Sequence, residues 1–139
     1  MQTLNLFLYP PANPPAADDW SFTAANTQVF MIYGGLVMAG ASPSQFNTIV
    51  SGLNARGISI AFTGECWVAC GAPCGTVNQT TLGWAQAITS NVQAAGGTIS
   101  YIAMDEPLFW GHFGGIANGG TTCTVADLIS SIQPILQVV

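Results

Sequence analysis

Lysine is absent from this 139-residue sequence, Arg56 is its one fixed cation, and only 5% of its residues are charged. With a net charge of -5 and no basic cluster, it has nothing to neutralise phosphates, which removes nucleic acid and anionic membranes as partners. Long hydrophobic runs are missing too. The longest, Val29 to Ala41, is interrupted by Gly34, Gly35 and Gly40 and is too short to span a bilayer. The start of the chain, Met1-Gln2-Thr3, lacks a cationic region, and Pro10-Pro11 follows almost at once, so no secretion signal is read in the chain as it stands. No strand is followed by a Gly-rich phosphate fingerprint, which argues against nucleotide binding.

Half of the residues are apolar, enough for one globular domain with a single core, so 1–139 is read as one domain. The polar surface must then come from Ser, Thr, Asn, Gln and Gly rather than from Lys and Glu. Four cysteines, Cys66, Cys70, Cys74 and Cys123, are an even number suited to disulfides. The surface composition points to an exported, extracytoplasmic protein or to a piece cut from something larger, and the cysteines support export, in which case the signal has been removed or lost.

The pattern along the chain alternates short apolar runs with amphipathic segments. Leu4 to Tyr9, closed by Pro10-Pro11, reads as a first strand, and Gln28 to Tyr33, closed by Gly34-Gly35, as a second. A helix follows with Ser42 as N-cap, Pro43 at its first position, Gln45 completing a capping box and Gly57 past its end. Its inward face is Phe46, Ile49, Val50 and Leu53. Ile58 to Thr63 is a third strand. Thr81 to Ala95 is a helix with Trp84, Ala85, Ile88 and Val92 inward, stopped by Gly96-Gly97. Thr98 to Met104 is a fourth strand. The last helix starts at Thr124 with Asp127 as capping partner, buries Val125, Leu128, Ile129 and Ile132, and is expected to kink or end at Pro134. Four β/α units of parallel strands result, arranged either as part of a closed barrel or as an open doubly wound sheet.

The few carboxylates are placed informatively. Glu65 directly follows the third strand and Asp105-Glu106 the fourth, the C-terminal strand ends where parallel α/β folds build their sites. Asp18 and Asp19 follow the presumed first strand, and Asp127 has a capping role. An arbitrary Asp-Glu-Pro simply begins a turn. Here an uncharged strand precedes it, Leu108, Phe109 and Trp110 supply apolar surface, and His112 lies six residues past Glu106. A carboxyl beside another carboxylate and aromatic surface has a raised pKa, as a general acid requires. Trp67, Phe109 and Trp110 are candidates for a sugar-stacking platform, and His112 for a residue lining the site.

The run Ile102-Ala103-Met104-Asp105-Glu106-Pro107 resembles the Asn-Glu-Pro site at strand four of the large clan of retaining (β/α)8 glycosidases. The wider pattern, from Val29–Tyr33 through Cys74-Gly75 to Cys123, is similar to uncharacterised bacterial glycosidase-like proteins. The resemblance implies half of a TIM-type (β/α)8 barrel, a carbohydrate substrate or ligand, Glu106 as general acid/base and no cofactor. Asp105 stands where the clan has an Asn that binds the sugar 2-hydroxyl, and an ionised Asp accepts that hydroxyl but cannot donate as an amide does. Glu65, one strand earlier, lies within about 5 to 10 Å of Glu106 if both strands share a barrel, a spacing open to retaining or inverting chemistry. The clan places its nucleophile at strand seven. Four units therefore imply an incomplete domain, since a full barrel needs around 250 residues.

Both cysteine-bearing loops leave the same end of such a sheet, so a Cys74–Cys123 disulfide is expected, with Cys66 and Cys70 paired locally or free. Zinc held by Cys66, Cys70, Cys74 and His112 is weaker, because the spacing is not that of paired zinc ligands and Gly71 and Pro73 interrupt any helix. Two other functions compete with the glycosidase: a non-catalytic carbohydrate-binding or structural relative, and a metal-dependent hydrolase with Glu65, Asp105 and His112 as ligands. Open barrel edges would favour self-association.

Overall fold

The computed structural model describes residues 25–35, 40–64, 67, 73–104, 107–113 and 122–139. Strand β1 (Val29–Tyr33) leads to helix α1 (Pro43–Asn54), strand β2 (Ser59–Gly64), helix α2 (Gln79–Ala94) and strand β3 (Ile99–Met104). A π-helical turn (Phe109–Phe113) and helix α3 (Val125–Leu136) follow. The strands form one parallel sheet in the order β1-β2-β3.

This corrects the expected architecture. Among the described residues the fold is a small α/β one, a three-stranded parallel sheet with four helical segments, and four β/α units of a half TIM-type barrel are not shown. The expected first strand, Leu4–Tyr9, lies outside the described residues. Barrel closure needs each strand to be paired on both sides, whereas among the described residues only β2 is. Alternation of strand and helix reports parallel β/α connectivity, which is present, but it does not report the number of strands or their closure.

Local chemistry explains the helix boundaries. Ser42 caps α1 through a reciprocal box, its Oγ accepting from the Gln45 N–H at 3.3 Å while the Ser42 N–H donates to Gln45 Oε1 at 2.7 Å. Gly57, with φ of 66°, turns the chain into β2. Helix α2 begins two residues earlier than its apolar periodicity indicates, because Asn78 Oδ1 accepts from the N–H groups of Thr80 (3.0 Å) and Thr81 (3.2 Å). In α3, Thr124 and Asp127 form the second capping box.

Pro134 does not end α3, which runs on to Leu136. So close to the C-terminus, the missing N–H costs the helix a single bond. The inward face of α3 also differs from the expected one. Leu128, Ser131 and Ile135 are buried, while Val125 (48%) and Ile129 (60%) are exposed. This helix carries two apolar stripes, and Leu128, packed with Cys123, Cys74 and Ile132, sets which one turns inward.

The core lies between the sheet and α1–α2. Phe30, Ile32, Ile60 and Phe62 meet Phe46, Val50 and Leu53 from α1 and Ala85, Ile88 and Val92 from α2. Central β2 is buried from Ile60 through Gly64, as a strand flanked on both sides should be. Gly97 is required by packing, since a Cβ there would stand 2.5 Å from Val50 Cγ1 and 3.1 Å from Val92 Cγ1. On β3 the register passes from Ile60↔Ile99 to Ala61↔Tyr101, so Ser100 is bulged out of the ladder.

Candidate functional site

All three strands run the same way, so their C-terminal ends lie at one edge of the sheet, with Tyr33 opposite Thr63, Thr63 opposite Ala103, and Gly64 opposite Met104. The Gly34 N–H extends this edge by donating to the Thr63 carbonyl at 2.9 Å. Missing side chains let α2 approach it: a Cβ on Gly34 would lie 2.6 Å from the Trp84 ring, and one on Gly64 3.0 Å from Thr81 Cγ2. Trp84 is thus a packing residue at the strand ends, as its helix position indicates.

Glu65 and Asp105 are the next residues in sequence after the paired Gly64 and Met104. Glu65, Asp105 and Glu106 themselves lie outside the described residues, as do Cys66, Cys70, Asp18 and Asp19. Trp67 is described, and it is a core residue rather than an open platform. It is 1% exposed and meets Phe62 edge-to-face at a centroid distance of 5.6 Å. Among the described residues its buried Nε1–H has no hydrogen-bond partner.

The π-helical turn after β3 carries the other expected residues. Phe109 is exposed and His112 half-buried, while the side chain of Trp110 lies outside the described part. Phe113, which the sequence pattern does not single out, is 71% exposed and stands edge-to-face on the His112 ring at 4.7 Å. The only hint in the sequence is its place beside His112 in an aromatic-rich loop.

His112 is held in one orientation. Its Nδ1 lies 2.6 Å from the Cys123 carbonyl oxygen, and a carbonyl only accepts, so Nδ1 carries the proton. Of the two neutral tautomers this bond selects the one with Nε2 as the lone-pair acceptor, the atom suited to a general base, a hydroxyl acceptor or a metal ligand. Cys123 is itself anchored, its N–H donating to the Gly111 carbonyl at 2.9 Å.

The Cys74–Cys123 disulfide is present, with its Cα atoms 5.3 Å apart and the cysteines 49 positions apart in sequence. It ties the loop before α2 to the segment before α3, and through the Cys123 backbone to the turn that carries His112. In the chain-entropy model a loop of this length stabilises by about 4 kcal/mol. With Cys74 in the disulfide, the Cys66-Cys70-Cys74-His112 zinc set loses a ligand. Among the described residues no three metal-ligating side chains come together.

Asp127 is the one described carboxylate with a resolved shift. A hydrogen bond from the Thr124 hydroxyl at 2.7 Å, then one from its backbone N–H at 2.9 Å, hold its pKa below the usual value, against a small opposing effect of burial. Its role is structural. Among the described residues no helix is long and apolar enough to cross a membrane. Comparison of the chain with protein-family models, curated proteins and solved structures gives no match.

Proposed function

We propose that this chain is an exported carbohydrate-active domain of glycoside-hydrolase type, with its site at the C-terminal edge of the sheet and Glu106 as general acid/base. The observation that carries the reading is the Gly64–Met104 pair at that edge, because Glu65 and Asp105 each follow one member of it by a single residue. Three of the six acidic residues therefore attach to adjacent strand ends in a chain with almost no other charge. Paired carboxylates are what glycoside hydrolysis requires.

Glu106 protonates the leaving oxygen in this reading, with Glu65 as the second carboxylate and Asp105 accepting a sugar hydroxyl. His112, with Nδ1–H fixed on the Cys123 carbonyl, offers Nε2 to another hydroxyl. The exposed ring of Phe109 gives an apolar face for a pyranose to stack on. The disulfide supports the export part of the proposal, since such bonds persist in oxidising compartments.

The exposed Phe109 and Phe113 rings favour a second reading, a non-catalytic carbohydrate-binding domain. The test is turnover of aryl glycosides and retention on immobilised polysaccharides, comparing the parent with Glu106→Gln. Turnover abolished by the substitution supports the hydrolase. Retention without turnover in either protein supports the binding domain, and neither turnover nor retention overturns both.

A further inference from the structure

The described large apolar side chains that face solvent are segregated: all of them belong to β3, the segment 107–113 after it, or α3. None belongs to β1, α1, β2 or α2. The turn residues lie at the proposed site; the others form a different surface. Helix α2 touches both α1 and α3, so α3 is the outermost helix on the side of β3. Its outward stripe, Val125, Ile129 and Leu136, repeats at helical spacing with half-buried Ile132 between. Beside it, β3 is an edge strand among the described residues, with Tyr101 (53% exposed) and Met104 (41%) partly uncovered.

We propose that the β3 edge and the outward stripe of α3 form a two-fold interface with a second copy of this chain. In it β3 pairs antiparallel with its mate to make a six-stranded sheet, and the two α3 helices lie side by side across the axis. A two-fold axis normal to the sheet places like edge against like edge and leaves the helices of both copies on one face, so a single surface serves both partners. Such pairing also satisfies the N–H and C=O groups that an edge strand leaves open.

Area and charge favour a second copy. Five half-exposed side chains at roughly 100 Å² each offer on the order of 500 Å² of apolar surface. At the ~65% apolar share of homodimer interfaces, this corresponds to about 800 Å² per partner, the standard size for a stable complex. None of the five is charged, so the surface gives an oppositely charged protein no handle. It also keeps the two net charges of -5 from meeting at the contact.

Sedimentation equilibrium of the full chain across micromolar concentrations tests this. The expected result is a reversible species of twice the 14.4 kDa chain mass, strengthened by added salt as like charges are screened. Ile129→Asp, on an exposed position, is expected to raise the dimer dissociation constant by ~100-fold with unchanged circular dichroism. Asn47→Asp, an equal charge change on the exposed side of α1, should leave dimerisation intact. Hydrogen exchange should show the β3 amides gaining protection as concentration rises. A monomer at every concentration overturns the proposal, as does a dimer indifferent to Ile129→Asp or one that forms with no added protection of β3.

Discussion

The β1-α1-β2-α2 half of this molecule is held by packing alone, whereas the β3-α3 half packs on the same core through Ile99, Ile102, Ile132 and Ile135 and is tied down by discrete links as well. In the first half the sheet and two helices interdigitate so closely that Gly97 has no room for a methyl group, and β2 is buried on both faces. In the second, β3 is partly uncovered and α3 turns one apolar stripe to solvent. There the Cys74–Cys123 bond, the Thr124–Asp127 capping box and the His112 hydrogen bond add to the packing. A half fixed by discrete links in addition to its share of the core can carry exposed rings and an accessible imidazole without losing its fold.

Breaking the packed half should produce the largest effect. Phe62→Ala, at a fully buried position on β2, is expected to cost about 3 to 5 kcal/mol in urea unfolding, because transfer and cavity terms add. Replacing Cys74 and Cys123 together by Ser should cost about 4 kcal/mol. Its distinguishing sign is regional, with amides of α3 and the π-helical turn losing exchange protection before those of α1 and α2. Uniform loss of protection would remove the distinction between the halves. Gly97→Ala should destabilise by about 1 to 3 kcal/mol through overpacking against Val50 and Val92.

The capping box sets a smaller scale. Thr124→Ala should cost about 1 kcal/mol by thermal melting. Asp127 adds a pH dependence of defined sign. Its folded pKa lies below its unfolded one, so its stabilisation is present above the unfolded carboxylate range and is lost as pH falls through the folded value. Asp127→Asn should therefore flatten part of the acid limb of the stability profile, read by urea unfolding between neutral pH and acid. Smallest of all, Ile129→Ser should change monomer stability by less than about 0.5 kcal/mol, since that side chain already faces solvent.

Much of both halves was legible in the sequence because local chemistry decided it. Ser42, Pro43 and Gln45 mark one helix start and Thr124 with Asp127 another, and both boxes form. The apolar runs ending at Tyr33, Thr63 and Met104 are strands within a residue of their expected bounds. That both cysteine-bearing loops leave the same end of the sheet also told which loops the disulfide joins. Strand number and closure were not legible, since an apolar run does not state its pairing partner. Nor was the roll of α3: two apolar stripes satisfy the same periodicity, and contacts around Cys123 and Leu128 chose between them. Trp67 looked like a platform from its place after a strand, but its burial against Phe62 depends on tertiary contacts that no local pattern contains.

At the candidate site, the sequence placed His112 in the loop after the last strand. The carbonyl that fixes its tautomer is eleven residues away, in a residue whose N–H donates to the Gly111 carbonyl of the same turn. This arrangement makes the site reading testable at single residues. The most direct measurement is titration of the isotopically labelled chain with a panel of neutral oligosaccharides, followed by side-chain NMR of Phe109, His112 and Phe113. A carbohydrate-active site at the strand ends predicts saturable shifts at those rings and at His112 Nε2, with the Nδ1–H form retained throughout. Saturable shifts confined to other surfaces, or no shift with any sugar, would contradict it.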